Sequence, residues 1–256
     1  MRLTSVLLAS SLTLAACNDG GSSALRAFAD PSSSRVSALT VQRLDAASGT
    51  VTNESGTLDR AANRFAAGAQ NGDIDASRMM VTLDGAGGTI DLTGTQDFVR
   101  IFTSQPVAGP VTRGTVGVAT PLGQLPTTAS YVGTGDVDIR DGFDTYELAG
   151  SMTANADFGA GLLSVEIRDL DGTRTNFGGS VAVTDVGVIQ VTDAMIAGNT
   201  ASGGSVSFTS GAVTFSGSAT SQHEAGFFGT KADEIGGVLA IRDGATRELD
   251  AVYIGD

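Results

Sequence analysis

The chain is predicted to be all-β, an eight-stranded antiparallel up-and-down β-barrel in its C-terminal half preceded by a smaller β-rich domain. Three observations carry this. Glycine is abundant, at 35 of 256 residues, and tryptophan is absent. Ser, Thr, Val and Ala recur in short alternating runs. Those runs are punctuated at regular spacing by glycine and aspartate-glycine steps, which is the pattern of many short strands joined by tight turns.

The beginning of the chain is a different kind of segment. Met1 and Arg2 give a positive start, Leu3 to Ala16 form a short apolar and small-residue run, and Cys17 follows. The run is too short to span a bilayer as a helix and has the zones of a secretory signal. Leu14-Ala15-Ala16-Cys17 resembles the lipobox of bacterial lipoproteins, which implies acylation of Cys17, a signal peptide over 1–16 and stable anchoring through more than one acyl chain. Cys17 is the only cysteine, so an exported chain has no internal disulfide for it to make. Asn18 and Asp19 follow it, and no clear inner-membrane retention signal stands there, which points to the outer membrane. Residues 17–34 are rich in Gly, Ser, Ala and Asp and read as a flexible tether.

Residues 35–125 are expected to form the N-terminal β-rich domain. Strands are predicted over Val36–Leu44 and Thr50–Leu58, and again over Arg78–Asp84 and Thr89–Thr93. Over Asp59–Gln70 the spacing of Ala61, Ala62, Phe65 and Ala66 fits a short helix. Asp97–Thr103 sets Phe98 and Phe102 opposite Val99 and Ile101, so both faces of that strand should be covered. Pro106, Gly109, Pro110, Pro121, Gly123 and Pro126 then punctuate the chain, and the domain boundary is placed near Thr120–Thr127.

Residues 126–256 carry the barrel. Ala129–Ile139 and Thr145–Thr153 read as a hairpin closed by Asp141-Gly142. Gly161–Arg168 follows, with Leu163, Val165 and Ile167 inward, then Thr175–Thr184 and Gly187–Ile196. Ser205–Thr209 and Ala212–Thr220 are expected to pair across Ser210-Gly211, and Leu249–Ile254 closes the set. About eight strands enclose an interior that their own side chains just fill. The outward faces are Ser, Thr and charges, whereas a membrane-embedded barrel needs an apolar outward band, so this barrel is expected to be soluble.

A late core strand is preceded by Gly226-Phe227-Phe228-Gly229 and Thr230-Lys231-Ala232-Asp233-Glu234, and opens with Ile235-Gly236-Gly237. A double glycine at a strand start marks a tight bend or a close backbone approach. Gly229, Gly236 and Gly237 read as corner-turning residues, and Phe227 and Phe228 as plugs of the barrel. The arrangement of Phe228, Gly229, Glu234, Ile235, Gly236 and Gly237 resembles the end of the β-barrel domain in the transferrin-binding protein B family of bacterial surface lipoproteins. Asp157-Phe158 resembles a recurring step between early barrel strands of that family. The resemblance implies a barrel preceded by a handle-like domain, and a surface role in binding a protein or an iron-related ligand through loops.

Catalytic and metal chemistry find little support. The formal charge of −13, without a basic cluster, disfavours nucleic acid. His223 is the only histidine, lies in a polar stretch that reads as an exposed loop, and has no nucleophile-elbow motif beside it. One histidine and one lipidated cysteine do not make a zinc site. Asp136-Val137-Asp138 with Asp141 and Asp144, and Asp169-Leu170-Asp171-Gly172, lack calcium-loop spacing and serve as hairpin turns. No motif selects Tyr131, Tyr146, Tyr253 or His223 as a haem ligand. The expectation is therefore no enzyme, no metal and no cofactor. It leaves an outer-membrane-anchored binding lipoprotein, with a structural or accessory envelope lipoprotein lacking a soluble ligand as the alternative. A lipocalin-like carrier would need an apolar cavity, against which the small inward residues argue.

Overall fold

The computed structural model of the chain describes residues 36–59, 62–68, 70–75, 80–84, 88–93, 96–105 and 111–256. The signal segment, Cys17, the tether and the prolines at 106 and 110 lie outside the described residues. Eight strands make up the first sheet: β1 (Val36–Asp45), β2 (Thr50–Asp59), β3 (Arg64–Ala67), β4 (Gln70–Asp75), β5 (Met80–Leu83), β6 (Thr89–Thr93), β7 (Val99–Gln105) and β8 (Thr112–Val118). The second holds β9 (Thr128–Asp141), β10 (Asp144–Asp157), β11 (Leu162–Asn176), β12 (Gly179–Val183), β13 (Val188–Ala197), β14 (Thr200–Ser202), β15 (Ser205–Thr209), β16 (Thr220–Phe228), β17 (Glu234–Asp243) and β18 (Arg247–Gly255).

The C-terminal barrel runs β9, β10, β11, β13, β14, β16, β17, β18 and back to β9, all antiparallel. Closure comes from β11 against β13, Leu162 opposite Met195 through Ile167 opposite Ile189. This is the eight-stranded up-and-down barrel that the alternating runs imply. On β10 the inward residues Tyr146, Leu148, Met152, Ala154 and Ala156 are buried, and the intervening ones are exposed or half-buried. The two further strands are side branches: β12 pairs with the upper part of β11, and β15 runs along β13 beyond β14. The first sheet also curls until its ends meet, with β1 pairing both β2 and β8. Leu39, Val41, Leu58, Phe65, Phe102 and Val116 fill it.

Three local expectations are corrected. Asp169–Gly172 is not a hairpin turn, because β11 runs through it from Leu162 to Asn176, and the chain reverses at Phe177-Gly178, inside the strand expected over Thr175–Thr184. Among the described residues of Asp59–Gln70 no helix forms; β2 ends at Asp59 and β3 begins at Arg64, with Phe65 opposite Leu58. Phe65 and Ala67 are buried two residues apart, so burial in the first sheet's core selects the strand period over the apparent helical spacing. Nor is Ala212–Thr220 a strand: Val213 tucks into the barrel core from a loop, and the next stave, β16, occupies Thr220–Phe228 instead.

β17 breaks the alternation for a reason. All residues from Glu234 to Ile241 are buried. Ile235, Leu239 and Ile241 point into the barrel. Val238 and Ala240 point out, and with Phe228, Val252 and Ile254 they pack on Leu44, Val51, Val99 and Ile101 of the first sheet. This apolar seam joins the two barrels, each large aliphatic side chain in it contributing roughly 1.5–3 kcal/mol by leaving water. It also explains why both faces of β7 are covered.

Candidate functional site

The segment from Gly226 to Gly237 is a seam as much as a turn. Gly229 takes a positive φ of 91° to begin it. The Asp233 carboxylate then accepts hydrogen bonds from the Thr230 amide (2.8 Å), the Thr230 hydroxyl (2.9 Å) and the Lys231 amide (3.2 Å). Phe227 faces the barrel interior, edge-on to Phe158 with ring centroids 4.7 Å apart. Phe228 faces the opposite way, onto the first sheet, where a Cβ on Gly117 would lie 2.4 Å from its ring. Phe227 is thus a plug of the barrel and Phe228 is not.

Glu234 fastens the seam. Its carboxylate is buried and accepts hydrogen bonds from the backbone amides of Asp97, Phe98 (2.6 Å) and Val99 (2.8 Å). Burial pushes its pKa up to about 7, against the opposing pull of the three amides and of Arg100. Further along the seam, the Gln222 side chain accepts from the Val51 amide at 2.9 Å, and Arg113 pairs with Asp138 across the two sheets.

The double glycine is not a corner, because Gly236 and Gly237 sit within β17, opposite Ile254 and Tyr253 of β18. Each is needed for close approach on a different face. A Cβ on Gly236 would lie 2.8 Å from Val99 Cγ2 across the seam. One on Gly237 would lie 2.4 Å from Tyr253 Cζ and Oη inside the barrel.

His223 is also corrected, from exposed loop to lumen. It lies on β16, 2% exposed, with Nε2 2.7 Å from the Tyr253 hydroxyl. Its Nδ1 is buried without a hydrogen-bond partner among the described residues. Burial lowers its pKa to about 4, the nearby Gly203 backbone working weakly the other way. Among the tyrosines, Tyr131 donates to the Ala232 carbonyl at 2.9 Å, and Tyr146 is buried beneath the Arg174 guanidinium. Met152, Ile167, Phe227, Leu239 and Tyr253 fill the lumen and are fully buried. Among the described residues no three His, Cys, Asp or Glu side chains are gathered to hold a metal ion.

The exposed chemistry is at the barrel end far from the Phe228-Gly229 turn, where three hairpin tips converge. The β9–β10 tip donates its Gly142 amide to Thr246 of the β17–β18 tip at 2.8 Å. Arg247 bridges Asp141 (2.8 Å) and Asp243 (3.3 Å), and Asp243 accepts from the Ser216 amide and hydroxyl. Arg174 pairs with Asp144 at 2.8 Å and holds that carboxyl below its usual range. On this braced rim Phe143 and Phe177 are 77% and 88% exposed, with ring centroids 4.9 Å apart. Sequence reasoning treats Phe143 as part of a turn and passes over Phe177. The available signal was an aromatic in two turns otherwise built of Asp, Asn and Gly.

The chain is thus an all-β protein whose larger barrel is filled by its own side chains, is joined along one wall to a smaller β ring and presents aromatic hairpin tips at its far end. The chain belongs to the family described as the C-lobe and N-lobe beta barrels of Tf-binding protein B, whose model matches residues 114–255. Among solved structures, a double mutant of the vaccine antigen transferrin-binding protein B from Haemophilus parasuis Hp5 aligns with a TM-score of 0.58. The identity is 16%, over 85% of this chain and 44% of that one. Intact Ap-TbpB, with N and C lobes, aligns at a TM-score of 0.51 and 15% identity, over 85% of this chain and 45% of that one. This chain spans less than half the length of either, and the likeness is one of fold. No curated protein matches it.

Proposed function

We propose that this chain is an outer-membrane lipoprotein, anchored through Cys17, that captures a protein or iron-related ligand on the hairpin-tip rim of its C-terminal barrel. The observation that carries the reading is the Phe143–Phe177 pair, two large aromatic side chains left open to solvent on a rim whose hairpin tips are linked by ion pairs. Exposed, pre-organised aromatics are the side chains from which binding hot spots are made. Membership of the Tf-binding protein B barrel family favours a transferrin-type protein as the first candidate. Phe228, Gly229, Glu234, Ile235, Gly236 and Gly237 have a structural role in this reading, holding the barrel on its neighbour with the rim turned away.

The test is surface plasmon resonance of the unacylated chain against transferrin, haem and isolated envelope receptors, with Phe143→Ser/Phe177→Ser as control. Saturable binding lost in the double variant supports the proposal. Absence of any saturable partner would instead favour the structural or accessory envelope role.

A further inference from the structure

β12 is an open strand edge on that rim. It pairs with β11 from Gly172 opposite Val183 to Asn176 opposite Gly179, and it ends the sheet, with no strand on its far side among the described residues. Ser180, Val181 and Ala182 are exposed, Val181 at 56%. Edge strands are ordinarily protected from further pairing by lysine, proline, a bulge or a covering loop. Gly179-Ser180-Val181-Ala182-Val183 has no charge or proline, and its pairing with β11 is regular. The sheet's other terminal strand, β15, differs: Phe208 on it packs edge-on against Phe215 of the following loop, with centroids 6.1 Å apart.

The register across the sheet dictates what a further strand would meet. One face carries the row Ile139, Tyr146, Arg174, Val181, which is continuous with the barrel interior. A residue added beside Val181 extends that row next to an exposed apolar side chain, Arg174 being already paired with Asp144. The other face carries Asp138, Glu147, Thr173 and Ala182. Here the charge is negative and only partly compensated. Asp138 pairs with Arg113 and Arg174 is taken by Asp144, while Glu147, Asp171 and Asp185 have no ion-pair partner among the described residues.

We propose that the free edge of β12 is a strand-addition site for an extended segment of the partner protein that alternates apolar and basic residues. Main-chain hydrogen bonds to the edge supply the attachment, an apolar side chain seats beside Val181, and lysines or arginines on the other face extend toward Asp171 and Asp185. A second copy of this chain is disfavoured as occupant, because pairing two such edges would bring the same carboxylates together. The inference rests on the rim as the ligand face and specifies how that face is used.

The experiment is NMR titration of the isotope-labelled full chain with a capped eight-residue peptide alternating valine and lysine. Controls are the same peptide N-methylated at alternate backbone nitrogens and one alternating valine and glutamate. Shifts in the amides of residues 179–183 are expected, with at least tenfold weaker binding for both controls. A tenfold loss is likewise expected in V181K, whose melting temperature should match that of the parent because the site is exposed. Equal binding of the N-methylated peptide, or shifts confined to Phe143 and Phe177, overturns strand addition while leaving the rim reading in place. So does failure of the valine–lysine peptide to bind at millimolar concentration. Self-association through β12 without peptide makes a second copy the occupant and also overturns the proposal. Failure of the rim reading itself is read separately, from the Phe143→Ser/Phe177→Ser double variant against whole protein ligands.

Discussion

Acidification is expected to weaken the C-terminal barrel through one residue, His223. In the folded chain the ring is buried against the Tyr253 hydroxyl and takes up a proton only near pH 4, against an ordinary 6.5. The unfolded chain binds that proton first, so stability is lost as pH falls from about 6.5, and the loss is complete below about 4. At 1.36 kcal/mol per unit, the difference amounts to about 3 kcal/mol, a large share of an ordinary domain's stability. Glu224, Asp138, Asp250 and Glu234 act in the opposite direction, since burial holds their carboxyls above the usual range and each gains a proton more readily folded than unfolded. The raw pH curve therefore mixes both signs, and the readout has to be a difference. Urea unfolding followed by far-UV circular dichroism, from pH 7 to pH 4, is to be compared for the parent and His223→Gln. The stability of the parent relative to the variant should fall by about 3 kcal/mol across that range. A gap that stays constant to within about 0.5 kcal/mol would refute the buried neutral histidine.

Three further outcomes are expected. Glu234→Ala leaves the amides of Asp97, Phe98 and Val99 without their acceptor in the seam, and should cost about 3–5 kcal/mol in urea unfolding, with Glu234→Gln costing less because one acceptor oxygen remains. Gly237→Ala places a methyl against Tyr253 Cζ and Oη at 2.4 Å and the Glu224 carbonyl at 2.8 Å; destabilisation of about 1–3 kcal/mol is expected by calorimetry, with a changed His223 ring resonance. Cys17→Ser should move the exported chain from the detergent phase to the aqueous phase in Triton X-114 partitioning, and unchanged membrane association would refute the lipid anchor.

Much of the fold was legible because a two-residue period and glycine-rich turns are local properties. β9, β10 and the first half of β11 could be read from alternation alone, since their inward sides meet the barrel core and their outward sides meet water. Where that condition fails, the reading fails with it. Phe228 looked like a barrel plug because a phenylalanine beside Phe227 has no sequence mark saying which barrel it enters. His223 looked exposed because Ser221, Gln222 and Glu224 surround it, yet on a strand its immediate neighbours Gln222 and Glu224 point the other way. Phe65 fitted a helix until the partner strand β2 imposed its own period.

The sequence by itself determined the all-β class, the alternation of the barrel staves and the aromatic-glycine motif that resembles one family. Those follow from side-chain periodicity and turn chemistry, which each segment carries alone. Only the tertiary structure decided that the motif is a joint between two barrels. Glu234 takes its three donors from the entry into β7, more than 130 residues away, and Gly236 yields its space to Val99. Periodicity states on which side of a strand a residue lies; what covers that side depends on the packing of distant segments.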